Sequence, residues 1–263
     1  MTDADAIIAA LRTGHDSLAD LVLKLGDDDL ARPSGAAEWD ISQVLSHLGS
    51  GAEITRATLG AALAGNPNPG GDFNTSIWDR WNAMTRRQRA DEVLQTNQAL
   101  TELYESLDAG TRESLRVDMG FLPAPVEVAT AARLRLNELA LHSWDVRVAF
   151  DEQATLAPEA TAALLHGAPD LIGWISKPEH LHGEHTVIQV TTSNPESVFA
   201  LRLGDSVSTD FDVPAEPDGT LAVPAEAWLR LVAGRLSPAH TPSEVVTTGA
   251  ADLDLLRRVL PGY

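Results

Sequence analysis

The stretch NELALHSWDVR, residues 137–147, places Glu138 and His142 four positions apart in an otherwise apolar, helical run. On an α-helix these two side chains leave from one face and can reach a single ion. A glutamate and a histidine at that spacing also arise by chance, as a polar interruption of a core helix. The residue that adds weight to the pair is His47, in the stripe Val44, His47, Gly51, Ile54 of a second helical segment. A lone inward histidine is commonly a satisfied core residue, yet metal sites in helical bundles are built from inward side chains on different helices. Two imidazoles and a carboxylate suit Zn²⁺, with nickel and iron as alternatives. Three protein ligands leave one position open to water or substrate, as catalytic zinc sites do. The chain contains no cysteine, so any sulfur chemistry here needs a thiol from outside.

Other residues compete for attention. HLHGEH supplies His180, His182, Glu184 and His185 within six residues, but it sits at a helix-to-strand turn where Gly183 marks a bend, and such turns are usually solvated. His15, on the apolar stripe of the first helix, could donate to a ligand from behind the site, although core packing is the better explanation of it. Asp145, one turn after His142, orients an imidazole, binds solvent or only caps local backbone. Arg80, Arg86 and Arg87 flank the segment GDFNTSIWDRWNA, in which Trp78 and Trp81 either wall a pocket or serve as core.

These side chains must be positioned by long helices. Steps of three and four between apolar residues predict helices over 4–25, 41–64, 87–107 and 126–150, with Asp40 at an N-cap position. Four such helices with loops of mixed length suggest an antiparallel bundle over residues 1–152. Beyond Asp151 the pattern changes. A helix is expected over 157–176, then short strands in HTVIQVTTS, SVFALRLG, SVSTDFDV and TLAV, a helix from Pro224, a strand in EVVTTG and a terminal helix over 251–260. The expected fold class is therefore α+β: a four-helix bundle followed by a smaller α+β domain over 153–263.

Composition narrows the function. The chain has 263 residues, 44% of them hydrophobic, enough for a buried core. A net charge of −19 repels nucleic acid and anionic membranes. Acidic residues stand where a signal peptide needs basic ones, and no apolar run reaches membrane-span length, so a cytoplasmic location is expected.

Taken together, EWDISQVLSHLGSGAEI (residues 38–54) and NELALHSWDVR resemble the metal-binding N-terminal domain of the mycothiol-dependent maleylpyruvate isomerase family, part of the DinB-like four-helix superfamily. Trp39 leads into the helix carrying His47, and Glu138, His142, Trp144 and Asp145 form the second half of the signature. The resemblance extends to a C-terminal domain of sterol-carrier-protein type. It implies zinc held by His47, Glu138 and His142, with mycothiol, a small actinobacterial thiol, as cosubstrate. Metal binding favours a thiolate over a thiol whose free pKa is about 8.5. Addition of that thiolate to a cis double bond, rotation and elimination would isomerise maleylpyruvate, while a persistent adduct would be thiol S-transfer. The resemblance also assigns a substrate-binding role to Arg235, in VAGRL, whose planar fork suits a carboxylate; favourable placement at a helix C-terminus accounts for the same residue without any ligand. The partners implied are a small-molecule electrophile and a low-molecular-weight thiol, acting on a monomer or homodimer. Two other classes stay open: a metal-dependent hydrolase turning over without thiol, and a non-enzymatic metal or small-molecule binder.

Overall fold

A computed structural model describes residues 3–166 and 169–262, and the chain divides into two compact units, Met1–Asp151 and Glu152–Tyr263. In the first unit, four long helices carry the apolar stripes: α1 (Asp3–Val22), α3 (Ile41–Leu63), α5 (Arg86–Ser106) and α7 (Val128–Arg147), with the short α2 (Asp27–Leu30), α4 (Gly71–Ala83) and α6 (Ala109–Ser114) between them. Two further strands, β1 (Arg116–Val117) and β2 (Val126–Glu127), pair as a small antiparallel ladder leading into α7.

The starts of the helices are chemically specified. Asp40 accepts from the Gln43 N–H at 2.9 Å while the Gln43 side chain accepts from the Asp40 N–H at 2.9 Å, a reciprocal cap that starts α3 just after Trp39. Thr85 and Gln88 repeat the device at the start of α5. Each capping side chain satisfies amides that the first helical turn leaves without intrahelical partners.

Helix α1 packs on α5 and α7, and α3 packs on the same two, so consecutive long helices α1 and α3 stand diagonally across the bundle. Contacts fix the directions. Arg12 on α1 reaches Glu105 and Gln98 on α5 while Asp5 meets Arg112 beyond it, so those helices are antiparallel. Arg86 meets Asp40 and Arg89 meets Ser42, so α3 and α5 run parallel. Asp3 pairs with Arg133 and Ser17 with Arg147, making α1 and α7 parallel as well. The uniformly antiparallel arrangement expected from the sequence is thus corrected. Two parallel neighbours cannot be joined by a tight turn; the chain must return along the bundle, and α4 makes that return against α3.

The second unit begins with α8 (Pro158–Leu164) and α9 (Pro169–Ile175), two pieces where the sequence suggested one helix over 157–176; residues 167–168 of that stretch lie outside the described residues. Its sheet has the order β5-β4-β3-β6-β7, from β3 (Thr186–Ser193), β4 (Ser197–Leu203), β5 (Ser208–Asp210), β6 (Gly219–Pro224) and β7 (Val246–Gly249). Only the β3–β6 pair is parallel; α10 (Ala225–Val232) follows β6, and α11 (Leu253–Val259) ends the unit. Ile188, Val190, Phe199, Leu201, Leu221 and Val223 alternate onto one face and cluster with Trp228, Leu231, Leu256 and Val259. The fold is α+β, as the sequence suggested. β5 covers only part of the strand expected at SVSTDFDV, because its pairing with β4 ends at Asp210. No helix among the described residues is long and apolar enough to cross a membrane.

Candidate metal centre

Antiparallel packing of α3 against α7 brings His47 opposite Glu138 and His142. Donor atoms of the three lie within 4.8 Å of one another, and no other group of three or more histidine or acidic side chains among the described residues comes so close together. His47 Nε2 donates to Glu138 Oε2 at 2.8 Å, His142 Nε2 stands 3.7 Å from the same oxygen, and the two imidazole rings meet edge-on at 4.6 Å. Tetrahedral coordination at about 2.0–2.1 Å places neighbouring donor atoms roughly 3.3 Å apart. The observed separations bracket that value, so these residues fit a divalent metal. Side-chain exposure falls from 39% at His47 through 30% at Glu138 to 8% at His142, so the trio is open on the His47 side.

The surroundings fix the ligands chemically. His142 Nδ1 donates to the fully buried Asp145 at 2.8 Å, which leaves Nε2 as the nitrogen that faces Glu138. Of the roles considered for Asp145, orientation of an imidazole is the one its geometry matches. Burial opposes ionisation of Glu138, but the hydrogen bond from His47 and electrostatic attraction to His142, His47 and Arg135 outweigh it, and the carboxyl is pushed down to about 2. Arg135, one turn before Glu138 on α7, is buried and donates to Leu48 O at 2.8 Å and Asn97 Oδ1 at 2.6 Å. Desolvation lowers its own pKa to about 10. It therefore fastens α7 to α3 and α5 beneath the trio. Trp39 covers the imidazoles, stacked on His142 at 5.9 Å and tilted on His47 at 5.3 Å.

From His47 a cavity of about 190 Å³ extends between α3, α4 and the start of α5, lined by Trp39, Gln43, Ser46, Trp78, Trp81 and Arg89 among others. Trp81 is fully buried, and its indole Nε1 donates to Glu53 at 3.1 Å. Its ring lies where a side chain on Gly49 would be: a Cβ there would stand 2.0 Å from the ring. Only glycine lets α4 approach α3 this closely.

Other residues singled out in the sequence lie elsewhere or are already paired. His15 interacts with Gln98 and its charged neighbours Asp16, Arg12 and Glu102, and its pKa is lowered chiefly by burial. In HLHGEH, His182 adopts a left-handed backbone (φ 52°) and His185 reaches Asp205 at 3.7 Å, so the cluster does not converge. Arg80 pairs with Glu53, Arg86 with Asp40 and Arg87 with Asp27. Trp78 is half exposed and, with Trp81, does wall the cavity. Arg235 belongs to the second unit, just after α10, where it is buried and donates to Ala233 O at 2.9 Å. Arg89 went unnoticed in the sequence, because its distinguishing acceptors are main-chain carbonyls, which residue types do not reveal.

A helical bundle carrying an open two-histidine, one-glutamate trio defines a class of candidate metalloproteins. The chain belongs to the mycothiol maleylpyruvate isomerase family, whose N-terminal domain profile matches residues 11–147. Among curated proteins it is similar to two uncharacterized proteins of Mycobacterium tuberculosis, from strains CDC 1551 / Oshkosh and ATCC 25618 / H37Rv. Each is 23% identical over 171 residues, covering 63% of this chain and 79% of the relative. Among solved structures it is similar to the mycothiol-dependent maleylpyruvate isomerase, with a TM-score of 0.62 at 12% identity. A mutant of that enzyme gives 0.63 at 11%, and in both cases 95% of each chain is covered. At such identity the likeness speaks for the fold.

Proposed function

We propose that this protein is a zinc-dependent cytoplasmic enzyme that adds mycothiol to a small electrophile, as a maleylpyruvate-type cis–trans isomerase or as a thiol S-transferase. The observation that carries this reading is the His47, Glu138, His142 trio, open on one side to a cavity in a family of mycothiol-linked proteins. Zinc held there would supply Lewis acidity that favours the thiolate of a bound thiol at neutral pH. The chain's own residues do the rest. Asp145 keeps the proton of His142 on Nδ1, Glu138 stays ionised, and Trp39 covers the imidazoles from one side. Absence of cysteine makes an external thiol necessary for any such addition. Arg235 is assigned to substrate carboxylate binding on the strength of the sequence resemblance.

The test is incubation of the purified protein with mycothiol and a panel of electrophiles including maleylpyruvate, read by mass spectrometry beside a chelator-stripped control. An isomerised acid with free thiol returned identifies an isomerase, and a lasting S-conjugate identifies a transferase. Turnover without thiol would replace this reading with hydrolysis. No turnover of any electrophile would leave a binding protein.

A further inference from the structure

The cavity beside His47 is lined by a cation as well. Arg89, on the first turns of α5, donates through Nε to Trp81 O at 3.2 Å and through Nη2 to Asn82 O at 2.8 Å, while Nη1 stands 3.5 Å from Ser42 Oγ. All three acceptors are neutral. Arg89 has no carboxylate partner among the described residues, although the chain carries 38 acidic against 19 basic residues. Its neighbours Arg80, Arg86 and Arg87 are each neutralised by an acid. A guanidinium has five N–H donors, so two carbonyls fix its plane without exhausting its capacity to bind an anion. Trp39, Trp78 and Trp81 supply apolar walls for a short carbon skeleton, and Gln43 and Asn82 supply amides.

We propose that Arg89 is the carboxylate-recognising residue of the bundle cavity, selecting small electrophiles that carry an acid group and lodging that group in the cavity that His47 also lines. The proposal rests on the function proposed above and assigns to the first unit a specificity element separate from Arg235. It explains why, of the four arginines Arg80, Arg86, Arg87 and Arg89, the last is held by carbonyls: a carboxylate neighbour would quench the charge that the ligand must find.

The test uses the full-length protein, as purified and after chelation, titrated with maleate and with its neutral dimethyl ester while tryptophan fluorescence is followed. Maleate should bind at least ten-fold more tightly than the ester to wild type, in both metal states. Arg89→Gln should lose at least ten-fold in maleate affinity and leave ester binding unchanged, Arg89→Lys should keep part of it, and Arg116→Gln, on β1, should behave as wild type. Equal affinity for acid and ester in wild type would overturn the proposal even if the variant failed to fold. So would an Arg89→Gln loss that is the same for both ligands, since that is what loosening of α4 alone would produce. Acid-selective binding without mycothiol turnover would remove the proposed reaction and leave Arg89's role standing. Mycothiol turnover indifferent to Arg89 and to the carboxylate would do the reverse.

Discussion

The nitrogen that His142 offers to the proposed metal is set by the residue three places further on. Asp145 is fully buried and accepts a hydrogen bond from Nδ1 at 2.8 Å, so the tautomer that presents Nε2 is the one the helix itself specifies. Carboxylates of this kind tune a metal site without touching the metal, and removing one typically costs about 10–100-fold in metal affinity. Asp145→Ala should therefore weaken zinc binding by about that factor in a chelator-competition titration while the far-ultraviolet circular dichroism stays native; unchanged affinity would show that the hydrogen bond is only structural. At this scale the sequence was informative about donors and silent about settings. Glu138 and His142 share a helix face by spacing alone, and His47 follows from its stripe. Arg89 and Arg135 did not stand out, because what distinguishes them is the acceptors they meet: for Arg89 mainly carbonyls at the end of α4, for Arg135 the Leu48 carbonyl and Asn97.

Two contacts between neighbouring elements hold the centre's surroundings in register. The first is the reciprocal cap of α3, with Arg86 of α5 bonded to the same Asp40 carboxylate at 3.1 Å. Burial raises the Asp40 pKa, but hydrogen bonds from Ser42, Gln43 and Arg86 and the Arg86 charge bring it below the ordinary carboxylate value. Asp40→Ala should cost about 1 kcal/mol by urea denaturation at pH 7. Because the folded carboxyl titrates below its unfolded value of about 3.9, its contribution is complete above that pH and fades as acid passes the lower folded value. The gap between wild type and variant should accordingly narrow below about pH 4, and a gap that widened would contradict the linkage. The second contact is Trp81 laid on Gly49. Gly49→Ala inserts a methyl group into the indole and should destabilise by about 1–3 kcal/mol, with a shifted tryptophan emission reporting the displaced ring. The long helices were legible because a 3.6-residue period survives in α1, α3, α5 and α7. The role of α4 was not, since an element that buries only Ile77 and Trp81 carries little periodicity.

On the scale of the whole molecule, the up-down order of the bundle lies beyond what periodicity can encode. Nothing in the apolar stripes of α3 and α5 distinguishes parallel from antiparallel neighbours; the long excursion through α4 decides it. The change from helical to alternating patterns past residue 151, by contrast, was plain in the amino-acid order, because β-branched alternation and 3.6-residue spacing exclude one another. All three proposed ligands lie within residues 1–151 and Arg235 lies outside them. A fragment of residues 1–151 should therefore bind zinc with the affinity of the full chain and yet lose mycothiol-dependent turnover, as measured by metal titration and by product assay. Loss of metal binding in a folded fragment would mean that the trio is insufficient. The most direct measurement of the central claim is the zinc content of purified wild type, His47→Ala and Glu138→Gln by inductively coupled plasma mass spectrometry. Zinc at one ion per chain in wild type, lost from both variants together with mycothiol-dependent turnover, is the result predicted; absence of zinc from wild type, or unchanged metal and activity in His47→Ala, would contradict it.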